Sequence, residues 1–146
     1  MQGEVAFVCI SEKKGTPKHA IPSGELVAGF GLAGDAHGGD WHRQVSLLDE
    51  ADIDFMRSKG LNLKPGAFGE NLVVRGLSLD SLGIGTRLAV GEARLEITQV
   101  GKECHTRCAI YYQAGDCVMP KEGIFVKILS GGPIKVGDPV EVLQDG

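Results

Sequence analysis

Short apolar runs, separated by polar turns rich in glycine, recur along this chain. Runs at 5–10, 25–28, 44–48, 71–74, 87–90, 94–100, 124–129 and 140–143 are of strand length, and turn-forming residues bound them. The run ARLEITQV alternates with a period of two. Leu95, Ile97 and Gln99 fall on one side, and Arg94, Glu96 and Thr98 on the other. GTRLAVGEARLEI predicts a hairpin that turns at Gly91 and Glu92. Gly137, Asp138 and Pro139 predict a further turn between strands. One stretch breaks the pattern. Residues 50–59 predict a helix with Asp49 as its N-cap and Gly60 as its stop, and with Ala51, Phe55 and the flanking Leu48 on one face. A second, shorter helix is expected from near Cys104 through CAIYYQ. Many short strands, glycine turns and one or two short helices predict a mainly β fold, a closed or nearly closed β-barrel.

Composition narrows the function classes. A length of 146 residues suits a single domain with one core, and no repeat or linker divides it. The apolar fraction of 42% and charged fraction of 23% are ordinary for a globular protein. A net charge of -4 argues against nucleic acid as a partner, because such binding needs a broad basic face. No run is long enough to span a bilayer, so no membrane association is expected. The opening MQGEVAFVCISEKKG has no basic region ahead of its apolar run, unlike a signal peptide. The four cysteines are therefore expected to be reduced thiols in a cytoplasmic protein.

Three of those cysteines cluster in residues 101–117, GKECHTRCAIYYQAGDC. Lys102, His105 and Arg107 stand beside Cys104 and Cys108. Neighbouring cations favour the thiolate, which is both nucleophile and soft metal ligand. Cys104 and Cys108 are thus the candidate catalytic or metal-binding thiols. Cys117 is less favoured, and Cys9, inside an apolar run, reads as core. A structural zinc site built from Cys104, His105, Cys108 and Cys117 is the rival chemistry, although adjacent Cys104 and His105 make poor partners on one ion.

Two further segments could serve the same site. Residues 34–48, GDAHGGDWHRQVSLL, place His37 and Arg43 around a glycine loop. The backbone of such a loop can approach an anion, and an arginine can grip phosphate with a fork of donors. Asp40 works against an anion there. In GAFGENLVVR, Glu70 and Asn71 open a strand after a glycine turn. They could bond the edge of a heterocycle, or simply tie the turn to neighbouring backbone.

Taken together, GDAHGG with RQVSLL, GAFGENL, LGIGTRLAVGEARLEITQVGKECHTRC and CVMPKEGIFVKILSGGPIKVGDPVEV resemble, in that order, the molybdenum-cofactor-sulfurase C-terminal (MOSC) family. These segments cover most of the chain. The likeness is to the compact stand-alone bacterial members. The resemblance implies a mostly-β barrel that binds molybdopterin or the molybdenum cofactor, with one cysteine as metal ligand or sulfur carrier. Counting from Gln99 carries that role to Cys104, whereas the Arg107-Cys108 pair carries it to Cys108, which is slightly preferred. His37, Arg43, Glu70, Asn71, Lys102 and Arg107 become the expected cofactor contacts. Cofactor sulfuration or sulfur carriage is the expected function. A molybdenum-dependent reductase of N-hydroxylated compounds and a non-catalytic zinc-binding domain are the alternatives. The expected protein partners are a sulfur donor or a molybdoenzyme, and for a reductase a separate electron donor.

Overall fold

The structure, a computed structural model, describes residues 2–13, 18–36, 38–58, 70–79, 82–100 and 124–144. Its strands in chain order are β1 (Gln2–Ile10), β2 (His19–Ile21), β3 (Ser23–Val27), β4 (Gly31–Leu32), β5 (Val45–Asp49), β6 (Leu72–Arg75), β7 (Arg87–Val90), β8 (Ala93–Val100), β9 (Ile124–Ser130), β10 (Gly132–Lys135) and β11 (Pro139–Gln144); a helix, α1 (Glu50–Arg57), follows β5. The sheet runs β11-β7-β8-β9-β5-β6-β1-β2, and an additional β11–β1 pairing closes its first seven strands into a ring. The protein is thus a mainly β, seven-stranded closed barrel, as the alternation predicts.

Nine-residue β1 makes the closure. Its first residues pair with β11 and its last with β2, while β6 runs along it with a bulge between Val5 and Phe7. The bulge lets consecutive Val5 and Ala6 both be buried. Val8, Leu47, Leu72, Leu88, Leu95, Ile97 and Ile124 are fully buried and belong to one core cluster. The parallel pair β5–β6 needs a crossover, and α1 lies within it. β3 pairs with both β4 and β10 in a small second sheet.

The eight expected strands all form, with ends shifted by at most three residues. β2, β4 and β10 were not expected, since two to four residues are too short to display a period. The Gly91 hairpin forms, with Gly91 at φ +56° and Val90 facing Ala93. Asp138 closes the second predicted turn by accepting the Lys135 N–H at 3.0 Å.

Two expectations need correcting. Asp49 does cap α1, accepting the Ala51 N–H at 3.0 Å, but the buried helix face differs from the one read from the chain. Ile53 is 2% exposed, whereas Phe55 is 55% exposed and Ala51 is also exposed. Among the described side chains of the helix, Ile53 takes the inward position. In β8 the alternation holds from Ala93 to Ile97 and then slips. A register shift between Ile97 and Gln99 re-aims Gln99. Gly60 and the expected second helix lie outside the described residues.

Candidate functional site

The site is built around the loop 33–43, which leads from β4 to β5. Its first half is docked onto the end of β1. The Ala36 N–H donates to the Ser11 carbonyl at 2.8 Å, and Ser11 returns its own N–H to Asp35 Oδ1 at 3.1 Å. The same oxygen takes Lys18 Nζ at 2.6 Å, with the two side chains 1% and 0% exposed. Burial alone would push the Asp35 carboxyl up. The Lys18 ammonium, the Ser11 N–H and the Asn71 side chain outweigh it and hold Asp35 below its ordinary value. A Cβ at Gly38 would lie 2.4 Å from the exposed Phe30 ring, which would have to move.

The second half of the loop is pinned to the barrel wall. The Thr98 hydroxyl sits between the His42 and Phe125 carbonyls, and a His42 ring nitrogen lies 2.9 Å from Gln99 Oε1. Gln44 Oε1 accepts the Ile128 N–H at 2.8 Å. These contacts set the Arg43 guanidinium between two aromatic rings, 4.9 Å from the Trp41 centroid and 5.5 Å from that of Phe125. Its Nε is buried and has no hydrogen-bond partner among the described residues. Leaving such a donor unpaired costs roughly 1–3 kcal/mol. This half-buried arginine lies beside two aromatic rings and keeps its Nε donor for a further partner.

Asn71 has the backbone-tying role. Its Oδ1 accepts the Ser46 N–H at 3.0 Å and its Nδ2 donates to the Cys9 carbonyl at 3.1 Å, so one amide links β5, β6 and β1. With these bonds and its interaction with Asp35, the fully buried amide is committed to protein partners. Glu70 is also fully buried. Cys9 is core, as expected. Burial, and secondarily the Glu70 charge, push its thiol up to about 12, with Lys18 pulling weakly the other way.

Val100 of β8 pairs with Ile124 of β9, and Gln99 with Phe125. The segment 101–123 therefore leaves and rejoins the barrel at one point, beside the His42–Gln99 and Arg43–Phe125 contacts. Lys102, Cys104, His105, Arg107, Cys108 and Cys117 belong to that segment. They and His37 lie outside the described residues. Among the described residues no group of three or more His, Cys, Asp or Glu side chains could hold a metal ion, and no helix is long and apolar enough to cross a membrane.

Reading the chain alone overlooked Lys18, Trp41, Gln44 and Phe125. Trp41, the single tryptophan, stands two residues before Arg43, and that spacing was a usable signal. Nothing local marks Phe125 or Lys18, because each meets its partner only through the barrel's long-range pairing.

No curated protein matches the chain. Among solved structures, YuaD from Bacillus subtilis superposes with a TM-score of 0.81 at 19% identity, covering 97% of this chain and 96% of that one. YiiM from Geobacillus stearothermophilus gives 0.71 at 17% identity, over 97% of this chain and 75% of that one. YiiM from Escherichia coli gives 0.68 at 23% identity, over 100% and 71%. These likenesses establish the fold. The family model described as MOSC domain matches residues 33–141, which include the loop 33–43, the Glu70-Asn71 strand entrance and the whole cysteine segment. That family is associated with binding of the molybdenum cofactor. The chain belongs to the MOSC domain family.

Proposed function

We propose that this domain binds the molybdenum cofactor through its pterin phosphate and works on it with a cysteine of the 101–117 segment, as a sulfur carrier or sulfurating domain. The observation that carries the reading is Arg43, a guanidinium beside the Trp41 and Phe125 rings with a buried Nε that has no partner among the described residues. It stands at the root of the segment that holds Cys104 and Cys108. A planar, permanently charged fork suits a phosphate group, and the buried unpaired donor fits an oxyanion better than it fits water.

In this reading Arg43 grips the phosphate, with Lys102, Arg107 and His37 adding donors. Asn71 and Glu70 support the site from the barrel wall. Cys108, or else Cys104, holds the metal or carries sulfur. Its thiolate is favoured by Lys102, His105 and Arg107 in the adjoining sequence. When bound, the cofactor supplies a molybdenum centre for sulfur or oxygen-atom transfer. The protein's part is to orient the pterin and to keep the thiol ionised. Sulfur carriage also calls for a donor protein and a molybdoenzyme acceptor.

The test is a pair of single variants, Cys104→Ser and Cys108→Ser, purified from molybdenum-replete cells. One of them is expected to lose bound molybdenum or sulfur transfer while keeping the wild-type melting temperature. Retention of both properties by both variants would remove the thiol from the functional centre.

A further inference from the structure

We infer that the buried Lys18–Asp35 ion pair is a positioning device for the anion subsite, holding the loop 33–43 in the pose that presents Arg43. The inference rests on the reading of Arg43 as the anion's ligand. Three stretches of chain converge on one carboxylate oxygen: the end of β1 through the Ser11 N–H, the approach to β2 through Lys18 Nζ, and the loop itself through Asp35. Asp35 is the loop's anchor on its β4 side, and the His42 contacts with Thr98 and Gln99 are its anchor on the β5 side. Between them lie Gly38 and Gly39, with Gly39 at φ +154°. Glycines add conformational freedom, and beside the Gly39 N–H bond to the Phe30 carbonyl at 2.8 Å the two anchors hold the pose of Trp41 and Arg43.

A buried ion pair is poorly explained by stability alone. Replacing one by apolar residues of similar volume is often neutral or stabilising, because desolvation offsets the attraction. What an apolar contact lacks is direction. Lys18, the Ser11 N–H and the Asn71 side chain fix the carboxylate by bonds of set geometry, and the loop path follows from that. Lys18 and Asp35 are too buried to meet a ligand themselves. They act through Arg43 as positioning residues.

The discriminating variant is the double replacement Lys18→Met with Asp35→Leu, set beside the single Asp35→Asn. The single variant removes the carboxylate charge that faces the buried Lys18 ammonium and should lower the melting temperature. The double variant should recover part of that loss, since the charges go together but the Ser11 N–H loses its acceptor. Two further readouts follow the loop itself. Trp41 is the sole tryptophan, so quenching of its fluorescence by acrylamide reports the loop pose without any ligand. Titration with inorganic phosphate reports the anion subsite. In both variants acrylamide should quench Trp41 more strongly than in wild type, and phosphate affinity should fall roughly tenfold or more. A double variant that restores stability, Trp41 shielding and phosphate affinity together would overturn the positioning role. Wild-type protein that does not bind phosphate would overturn the Arg43 reading and this inference with it. Wild-type binding matched by equal binding and equal shielding in Asp35→Asn would overturn this inference alone.

Discussion

The side-chain carbonyl of Asn71 accepts the backbone N–H of Ser46 at 3.0 Å, while the backbone N–H of Asn71 returns to the Ser46 carbonyl at the same distance. This reciprocal pair joins β5 to β6 at the start of their parallel register, where two chain segments would otherwise enter the barrel wall with unpaired groups. The Asn71 amide continues the tie to β1 by donating to the Cys9 carbonyl. Replacing Asn71 by Ala should therefore leave the Ser46 N–H and the Cys9 carbonyl short of partners inside the protein. The expected loss is roughly 2–4 kcal/mol, read by urea denaturation. A loss below about 0.5 kcal/mol, the range of ordinary surface changes, would contradict the staple role.

Gly31 faces the backbone of Gln44. Its φ is +125°, and a Cβ there would lie 2.6 Å from the Gln44 carbonyl oxygen. Both the backbone conformation and the space exclude a side chain. Gly31→Ala should cost roughly 2 kcal/mol or more and should weaken anion binding, since Gln44 adjoins Arg43. Gly29→Ala is the control. Gly29 also has positive φ but nothing lies within 4 Å of its added Cβ. Paired thermal melts of the two variants check this, and equal losses would show that contact with Gln44 contributes nothing.

The barrel was readable from the chain because its long strands display their period over enough residues. β7 was predicted at its observed ends, and β8 reads inward at Ala93, Leu95 and Ile97. The failures have local causes. The bulge beyond Ile97 inserts a residue that alternation cannot foresee. The helix face was misread because the packing of Ile53 against the barrel decides it, whereas the pattern offered Phe55. At the site, Arg43 was legible from its loop and side-chain chemistry. Its partner Phe125 was not, since the two meet only when β9 pairs beside β5. Asn71 was left open between ligand contact and backbone tie, and only the position of Ser46 decides between them.

Asp35 gives a pH dependence of definite sign. Its folded-state value lies below the ordinary 3.8, because Lys18 and the Ser11 N–H stabilise the charged form more than burial opposes it. The unfolded chain therefore binds the proton more readily. The resulting stability is fully present above the unfolded value and is lost as pH falls through the lowered folded value. Urea melts between neutral and strongly acid pH should show the wild-type advantage over Asp35→Asn shrinking on the acid side. An advantage that persists below the folded value would contradict the assignment.

Cys9 should be inert in the native state. It is fully buried and its thiol is pushed up to about 12, so almost no thiolate exists at neutral pH. Alkylation with iodoacetamide, followed by mass spectrometry of peptides, should label Cys104 or Cys108 much earlier than Cys9. Prompt labelling of Cys9 without unfolding would contradict its place in the core. Cys9→Ser should lower stability by burying a hydroxyl where a thiol now packs.

In the proposed reading, this MOSC domain carries the molybdenum cofactor on Arg43 and a cysteine. That reading is tested most directly by the metal and pterin content of the protein purified from molybdenum-replete cells, with Arg43→Ala prepared in parallel. Wild-type protein should contain molybdenum and a fluorescent pterin oxidation product in equimolar amounts with the chain. Arg43→Ala should show a clear loss of both at unchanged secondary structure. Zinc alone in the wild type, or cofactor retained in full by Arg43→Ala, would contradict it.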